Sequence, residues 1–132
     1  MTLVDSSAWI ELFRATGSAV HLRLKASLEN RDVLATTDVV LMEILAGARD
    51  EEERDWLRRF LYGRRFLPVQ GPTDYESAAE LYRLCRRGGE TPRRLIDCLI
   101  AAIAIRNDAE MLCVDSDFET IARHTPLRLM TA

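Results

Sequence analysis

The sequence predicts an α/β fold built on parallel strands. Short apolar segments at residues 2–4, 33–36 and 111–114 have the composition of buried strands, and a segment with helical periodicity follows each of them. This alternation is typical of strand–helix–strand units, whose right-handed crossovers bring the carboxyl ends of parallel strands to one edge of the sheet. The chain has 132 residues and no repeat or linker, so we expect a single domain over residues 1–132.

Capping and breaking residues delimit the elements of the first half of the chain. Gly17 interrupts the first helical pattern, and Gly63 ends an amphipathic helix that opens with acidic residues. Thr37 and Asp38 are suited to cap the predicted helix over residues 39–47. The predicted elements are, in order, strand 2–5, helix 8–13, helix 20–30, strand 33–36, helix 39–47 and helix 50–62.

Proline and glycine delimit the elements of the second half. Pro68 limits a short extended segment to a sheet edge, and the glycine pair 88–89 stops the next helix. Thr91 and Pro92 have the pattern of an N-cap and a first helical residue, which would place Asp97 in the second turn of its helix. The predicted elements are extended segment 66–69, helix 74–87, helix 92–105, strand 111–114, helix 119–123 and edge strand 127–129.

Single carboxylates in apolar surroundings are the central feature of the sequence. Asp97 and Glu43 each lie in a helix that is otherwise apolar on every side, and Asp5 and Asp115 each follow a predicted strand. Asp117 comes two residues after the last of these. Burying an isolated ionised carboxylate in an apolar interior lowers the stability of the fold by roughly several kcal/mol, unless the carboxylate is paired, protonated or bound to a cation. The apolar residues that flank these acids include no basic residue, so their partners must come from elsewhere in the chain.

A divalent cation would resolve the repulsion among these acids. Carboxylates that meet at one sheet edge raise one another's pKa and oppose folding, unless a cation offsets their charge. A set of ligands made only of oxygen favours Mg²⁺ or Mn²⁺ over zinc, and the corresponding chemistry is metal-assisted phosphodiester hydrolysis. Histidine-based, serine-nucleophile and phosphate-loop schemes lack their motifs, since His21 and His124 are the only histidines and neither belongs to a paired pattern.

Two structural interpretations of the acids stay open at this point. Asp5 is equally suited to be a plain N-cap of the first helix. Asp97 has the alternative of a structural salt bridge to Arg93 or Arg94, which lie just before it in the chain.

Four motifs together resemble the PIN-domain ribonucleases, specifically the VapC-type toxins of prokaryotic toxin–antitoxin pairs. They are Val4-Asp5-Ser6-Ser7-Ala8-Trp9-Ile10, residues 37–47 around Glu43, residues 95–102 around Asp97, and Asp115-Ser116-Asp117-Phe118. The resemblance covers essentially the whole chain. It implies a three-layer α/β/α sandwich with a central, mainly parallel sheet, and an endoribonuclease that depends on Mg²⁺ or Mn²⁺.

The resemblance also implies roles for individual residues. The catalytic acids would be Asp5, Glu43, Asp97 and Asp115, and the metal ligands would be Asp5, Asp97, Asp115 and Asp117. Ser6 matches a small hydroxyl residue that helps to hold the waters of the metal site. Cys113 is a departure, because the family commonly has a hydroxyl residue two positions before Asp115.

The resemblance further implies partners. A cognate antitoxin would wrap the toxin and block its site, tRNA or ribosomal RNA would be the substrate, and homodimers and toxin–antitoxin hetero-oligomers are expected. An apolar groove near Trp9, Phe13 and Leu24 would suit an antitoxin helix.

The basic residues are almost all arginine, and they are concentrated between residues 54 and 94 of a chain with a formal net charge of −3. The arginine side chain suits phosphate because it binds phosphate oxygens in pairs. We expect RNA contacts from one or more arginines next to the Asp97 helix. The candidates are Arg86, Arg87, Arg93 and Arg94.

Two other classes of function are alternatives to a metal-dependent ribonuclease, and the cysteine pattern bears on the location of the protein. A receiver-like phosphoacceptor domain also gathers acids around Mg²⁺, but it needs a lysine towards the C-terminus, and Lys25 is the only lysine. A non-catalytic protein-interaction module would differ from an enzyme in binding no divalent ion. Three cysteines without a paired spacing, and the lack of a leader or a membrane-spanning segment, favour a cytoplasmic protein.

Overall fold

The computed structural model describes residues 1–132. Four short strands and seven helices alternate along the chain. The strands are β1 (Thr2–Val4), β2 (Leu34–Thr36), β3 (Arg65–Phe66) and β4 (Glu110–Leu112). The helices are α1 (Ser6–Phe13), α2 (Ala19–Glu29), α3 (Asp38–Ala46), α4 (Glu51–Tyr62), α5 (Thr73–Arg87), α6 (Leu95–Arg106) and α7 (Asp117–His124). No helix has the length and apolar character that a membrane crossing requires.

The strands form one sheet in the order β3-β2-β1-β4, and every pairing is parallel. Helix α1 contacts α2 and α3, and α3 contacts α4, whereas α5, α6 and α7 contact one another. The predicted α/β/α sandwich with a mainly parallel central sheet is confirmed. β1 lies inside the sheet and its residues are buried, so its apolar composition follows from contact with helices on both faces.

Parallel pairing brings the carboxyl ends of the strands to one edge, which is where α/β sheets carry their functional groups. Asp5 directly follows β1 and donates its backbone N–H to the carbonyl of Leu112, the last residue of β4, at 2.9 Å. Asp115 follows β4 by three residues. The acids at the ends of β1 and β4 therefore share one edge of the sheet, as the alternation of elements predicts.

Helix α6 supplies much of the core, because eight of its twelve residues are buried. It begins at Leu95, so the prediction that Pro92 is its first residue is wrong. The backbone N–H groups of Arg93 and Arg94 donate to the Asp117 carboxylate instead of entering a helical turn. Arg94 has the extended conformation of an N-cap, and Asp97 consequently lies in the first turn.

Three other segments can be compared with the elements that the sequence predicts. β3 covers only residues 65–66 and is an edge strand, as Pro68 indicates. The predicted strand 127–129 is reduced to a single bridge between Leu129 and Met111. After α5, Gly89 has a φ of +87°, and a Cβ on Gly88 would clash with the His124 ring, so both glycines are required where this chain reversal packs against α7.

Candidate active site

Three of the predicted site residues form a compact acidic group. Asp97, Asp115 and Asp117 each offer a carboxylate oxygen, and these oxygens lie within 4.8 Å of one another. They come from the first turn of α6, the loop after β4 and the start of α7. Asp97 and Asp117 are buried, and Asp115 is partly exposed.

Asp97 has an incompletely satisfied carboxylate. Its residue is only 2% exposed, and its Oδ2 is buried with no hydrogen-bond partner. The nearest guanidinium, that of Arg94, places Nη2 4.0 Å from Oδ1, which exceeds a hydrogen-bond length. Burial raises the pKa of Asp97 to about 7, neighbouring carboxylates add to the rise, and the Arg94 charge opposes it. The salt bridge considered for Asp97 is therefore a long contact that leaves one oxygen unpaired.

Asp117 differs from Asp97 because its carboxylate is well supplied with donors. Its Oδ2 accepts from the backbone N–H groups of Arg93 and Arg94, each at 3.1 Å, and its Oδ1 accepts from Arg93 Nε at 3.2 Å. Burial acts to raise the pKa of Asp117, but these hydrogen bonds outweigh burial and hold the pKa below its ordinary value. Asp117 thus anchors the loop that leads into α6.

Asp5 lies outside the 4.8 Å group but interacts electrostatically with it. It is buried and is the N-cap of α1, because its Oδ2 accepts from Ser7 N at 3.1 Å and from Ser7 Oγ at 2.5 Å. Burial raises the pKa of Asp5, the Ser7 hydrogen bonds lower it, and the charge of Glu43 adds to the rise. The N-cap interpretation of Asp5 is correct, and both hydrogen bonds from Ser7 fall on the same oxygen, Oδ2.

Glu43 joins the site through hydrogen bonds from two directions. Ser6 Oγ donates to its Oε1 at 3.2 Å, and Arg94 Nη2 donates to its Oε2 at 2.8 Å. The Glu43 side chain keeps 21% of its surface exposed. Ser6 therefore contacts a predicted catalytic acid, as expected of a residue that supports the site.

The arginines before α6 supply positive charge that the apolar flanks of the acids lack. Arg93 Nη2 lies 3.3 Å from Asp115 Oδ1, and Arg94 Nη1 lies 3.9 Å from Asp115 Oδ2. Arg86 and Arg87 are exposed at the end of α5 and form no ion pair. The four predicted RNA-binding arginines thus divide into two that contact the acids and two that are free.

Ser7 is the residue that the sequence analysis missed. Its Oγ accepts from the backbone N–H of Val114 at 3.0 Å and donates to Asp5. Cys113, which takes the place of a hydroxyl residue, makes no side-chain hydrogen bond, and burial raises its pKa to about 12. The only sequence signal for Ser7 was its position two residues after a strand-end acid, which is also a common capping pattern.

A groove opens beside the acids, between α1, α3 and α4, and its lining combines apolar with charged residues. Its volume is about 990 Å³, and Glu43 belongs to both the groove and the acidic site. Aromatic rings of Phe13, Trp56 and Phe60 pack edge-on or stacked along it. Trp9 and Leu24 are fully buried, so the prediction that they line a groove is wrong, because both belong to the core beneath it.

Comparison with known proteins identifies the family. The family model described as PIN domain matches residues 2–124. The chain therefore belongs to the PIN domain family, and the resemblance inferred from the four acidic motifs is confirmed. Ribonuclease VapC11 of Mycobacterium tuberculosis (strain ATCC 25618 / H37Rv) is 44% identical over 129 residues, which are 97% of this chain and 96% of the relative. This membership leaves the receiver-like alternative without support.

Solved structures of low identity share the fold. VapBC2 from Rickettsia felis, bound to a DNA fragment from its promoter, matches with a TM-score of 0.75 and 18% identity over 98% of this chain and 96% of that chain. VapC20 from Mycobacterium tuberculosis, described as a sarcin–ricin loop cleaving toxin, matches with a TM-score of 0.66 and 21% identity over 97% of this chain and 99% of that chain.

Proposed function

We propose that this chain is a divalent-metal-dependent endoribonuclease and the toxin of a toxin–antitoxin pair. Membership of the PIN domain family and the 44% identity to a protein named as a VapC ribonuclease support this assignment. We further propose that residues 1–132 form a single domain, since the buried apolar residues make one continuous cluster, and that the protein acts in the cytoplasm.

The observation that carries the proposal is the unpaired Oδ2 of Asp97 inside a group of three carboxylates. A buried oxygen without a donor is costly, and a cation ligated there would satisfy it. The available donors are all oxygen, which favours Mg²⁺ or Mn²⁺. We therefore assign the metal ligands to Asp97, Asp115 and Asp117, with Asp5 as the remaining one.

The remaining chemistry is assigned to side chains of this protein. When bound, the cation lowers the pKa of an attacking water and offsets charge that develops on the phosphodiester. We assign to Glu43 the part of proton acceptor, because Ser6 at Oε1 and Arg94 at Oε2 hold its partly exposed carboxylate in place beside the other acids. Helix α6 holds Asp97 rigidly, because most of the residues of this helix are packed within the core.

RNA binding is assigned to arginines at the two ends of the loop between α5 and α6. Arg86 and Arg87 are exposed and unpaired, so they are available for phosphates without breaking an ion pair. Arg93 and Arg94 contact acids whose charge a cation would offset, which would release their guanidinium groups for RNA. The substrate is proposed to be tRNA or ribosomal RNA.

The antitoxin is proposed to bind the groove between α1, α3 and α4. The apolar floor around Phe13, Trp56 and Phe60 suits the apolar face of a helix. An occupant would also reach Glu43, which links binding at the groove to inhibition. Fold neighbours that are VapBC complexes support hetero-oligomers, and a toxin homodimer is part of the proposal. The test is co-expression with the cognate antitoxin. The unmodified protein should co-purify with the antitoxin, and a Phe13→Glu variant should not.

RNA cleavage tests the enzymatic assignment. Purified, antitoxin-free protein is incubated with total tRNA and ribosomal RNA in Mg²⁺, in Mn²⁺ and in chelator. We expect cleavage with either ion and none with chelator, and Asp97→Asn should abolish it. Asp32→Asn is the matched control because Asp32 is exposed and outside the site. Cleavage that persists in Asp97→Asn would indicate a contaminating nuclease. A lack of divalent-ion binding would instead favour a non-catalytic interaction module.

A further inference from the structure

Ser7 connects two loops of the candidate site through its side-chain oxygen. It lies in the first turn of α1, and its Oγ is 2.5 Å from Asp5 Oδ2 and 3.0 Å from the backbone nitrogen of Val114. Val114 immediately precedes Asp115 in the chain. The hydroxyl therefore bridges the acid after β1 and the loop after β4 that carries another acid.

The direction of both hydrogen bonds follows from the groups present. A backbone N–H can only donate, so the Ser7 oxygen accepts from Val114. The one hydroxyl hydrogen of Ser7 is then available for the Asp5 carboxylate, which can only accept when ionised. Ser7 N also donates to the same Asp5 oxygen at 3.1 Å. Both donors of Ser7 thus engage Asp5 Oδ2, and neither of them engages Oδ1.

We propose that Ser7 is a positioning residue that holds Asp5 and the Asp115 loop in the arrangement needed to bind a divalent cation. It does so by engaging one Asp5 oxygen, which leaves the other available as a ligand, and by holding the strand-end loop next to it. This inference rests on the proposed metal site. Groups that orient a ligating carboxylate commonly change metal affinity by about 10–100-fold when they are removed.

Neither neighbouring residue can replace the Ser7 hydroxyl. Ser6 is adjacent in sequence, but its hydroxyl donates to Glu43. Cys113 lies on the other side of the bridge, and its side chain makes no hydrogen bond. Among these three side chains, only the Ser7 hydroxyl therefore connects Asp5 with the loop after β4.

Calorimetric titration of the metal-free protein with Mn²⁺ tests this proposal, together with the melting temperature in chelator. We expect Ser7→Ala to bind Mn²⁺ about 10–100-fold more weakly than the unmodified protein. Ser7→Thr and Ser7→Val form a second, isosteric pair, in which only Thr keeps the hydroxyl and should retain the tighter binding. Ser18→Ala is the matched control, because Ser18 caps α2 through a hydrogen bond from His21 N at 3.1 Å and is not among the proposed ligands.

The possible outcomes separate this inference from the proposed function. Equal Mn²⁺ affinities for the unmodified protein and Ser7→Ala, or for the Thr and Val variants, would overturn the role of Ser7 while leaving the metal site intact. An equal loss in Ser18→Ala would also overturn it, since the effect would then be one of general stability. Failure of the unmodified protein to bind Mn²⁺ would overturn the proposed metal site and this inference with it.

Discussion

Arg94 donates a hydrogen bond from Nη2 to Glu43 Oε2 at 2.8 Å, which joins the start of α6 to α3 across the candidate site. The same guanidinium lies 3.9 Å from Asp115 and 4.0 Å from Asp97. The protein thus places a cation of its own among the acids. Since a metal ion would carry charge of the same sign to the same carboxylates, Arg94 and the metal should compete.

Arg94→Gln is expected to tighten Mn²⁺ binding several-fold and to lower stability in chelator. Removal of the guanidinium leaves the carboxylates with less counter-charge, so their repulsion increases until a metal binds. Because Arg94 is about half exposed, the loss in free energy of unfolding should be only about 0.5–1 kcal/mol. Calorimetry and urea unfolding measure the two effects. Arg86→Gln serves as the control, and the same tightening in that variant would point to net charge in place of local competition.

Asp97→Asn is expected to stabilise the metal-free protein at pH 8 but not at about pH 3. Burial raises the pKa of Asp97 from 3.8 to about 7 in the folded state, so its ionisation opposes folding as pH rises between these values. Below the lower value the carboxyl is neutral in both states and resembles the amide. The difference between 3.8 and about 7, at about 1.4 kcal/mol for each pH unit, corresponds to a gain of up to about 4 kcal/mol in free energy of unfolding at pH 8. Urea unfolding in chelator at both pH values measures it.

The opposite sign for Asp97→Asn would change the interpretation of this acid. A variant that is less stable than the unmodified protein at pH 8 without metal would indicate that the contact with Arg94 is a structural salt bridge.

Asp117→Asn is expected to destabilise the protein under conditions in which Asp97→Asn stabilises it. Asp117 accepts two backbone and one side-chain hydrogen bond from the residues before α6, and its pKa is lowered. Its contribution is present above pH 3.8 and declines as pH falls through the lower folded-state pKa. We expect a loss of about 1–3 kcal/mol at pH 7. Urea unfolding in chelator tests this, and unchanged stability would contradict the anchoring role.

Neutralising Arg86 and Arg87 together should reduce the salt dependence of RNA binding. The slope of log affinity against log salt is negative, and each phosphate contact that is lost reduces its magnitude by about 0.7 for a single strand. The measurement uses tRNA and the cleavage-deficient Asp97→Asn protein, with and without the two arginine-to-glutamine changes. Arg23→Gln, on α2, is the control. An unchanged slope would remove these two arginines from the RNA-binding surface.

Much of the architecture could be predicted from local pattern. Strand-like composition at residues 2–4, 33–36 and 111–114 corresponds to three of the four strands, and their parallel pairing follows from the helices between them. The start of α6 could not be predicted in the same way. Pro92 has the local features of a first helical residue, but the Asp117 carboxylate binds the next two backbone N–H groups and delays the helix to Leu95.

For the candidate site too, one part could be predicted from the sequence and another could not. The unusual acids can be recognised from the sequence alone, because a carboxylate in an otherwise apolar helix or after a buried strand is costly wherever it lies, and this cost can be read from its immediate neighbours. The groups that satisfy each acid, in contrast, become visible only in the folded chain. Arg93 meets Asp117 across 24 residues, and Ser7 meets Val114 across 107. Hydrogen-bond partners so distant in sequence are set by the packing of loops at the sheet edge, which local pattern does not encode.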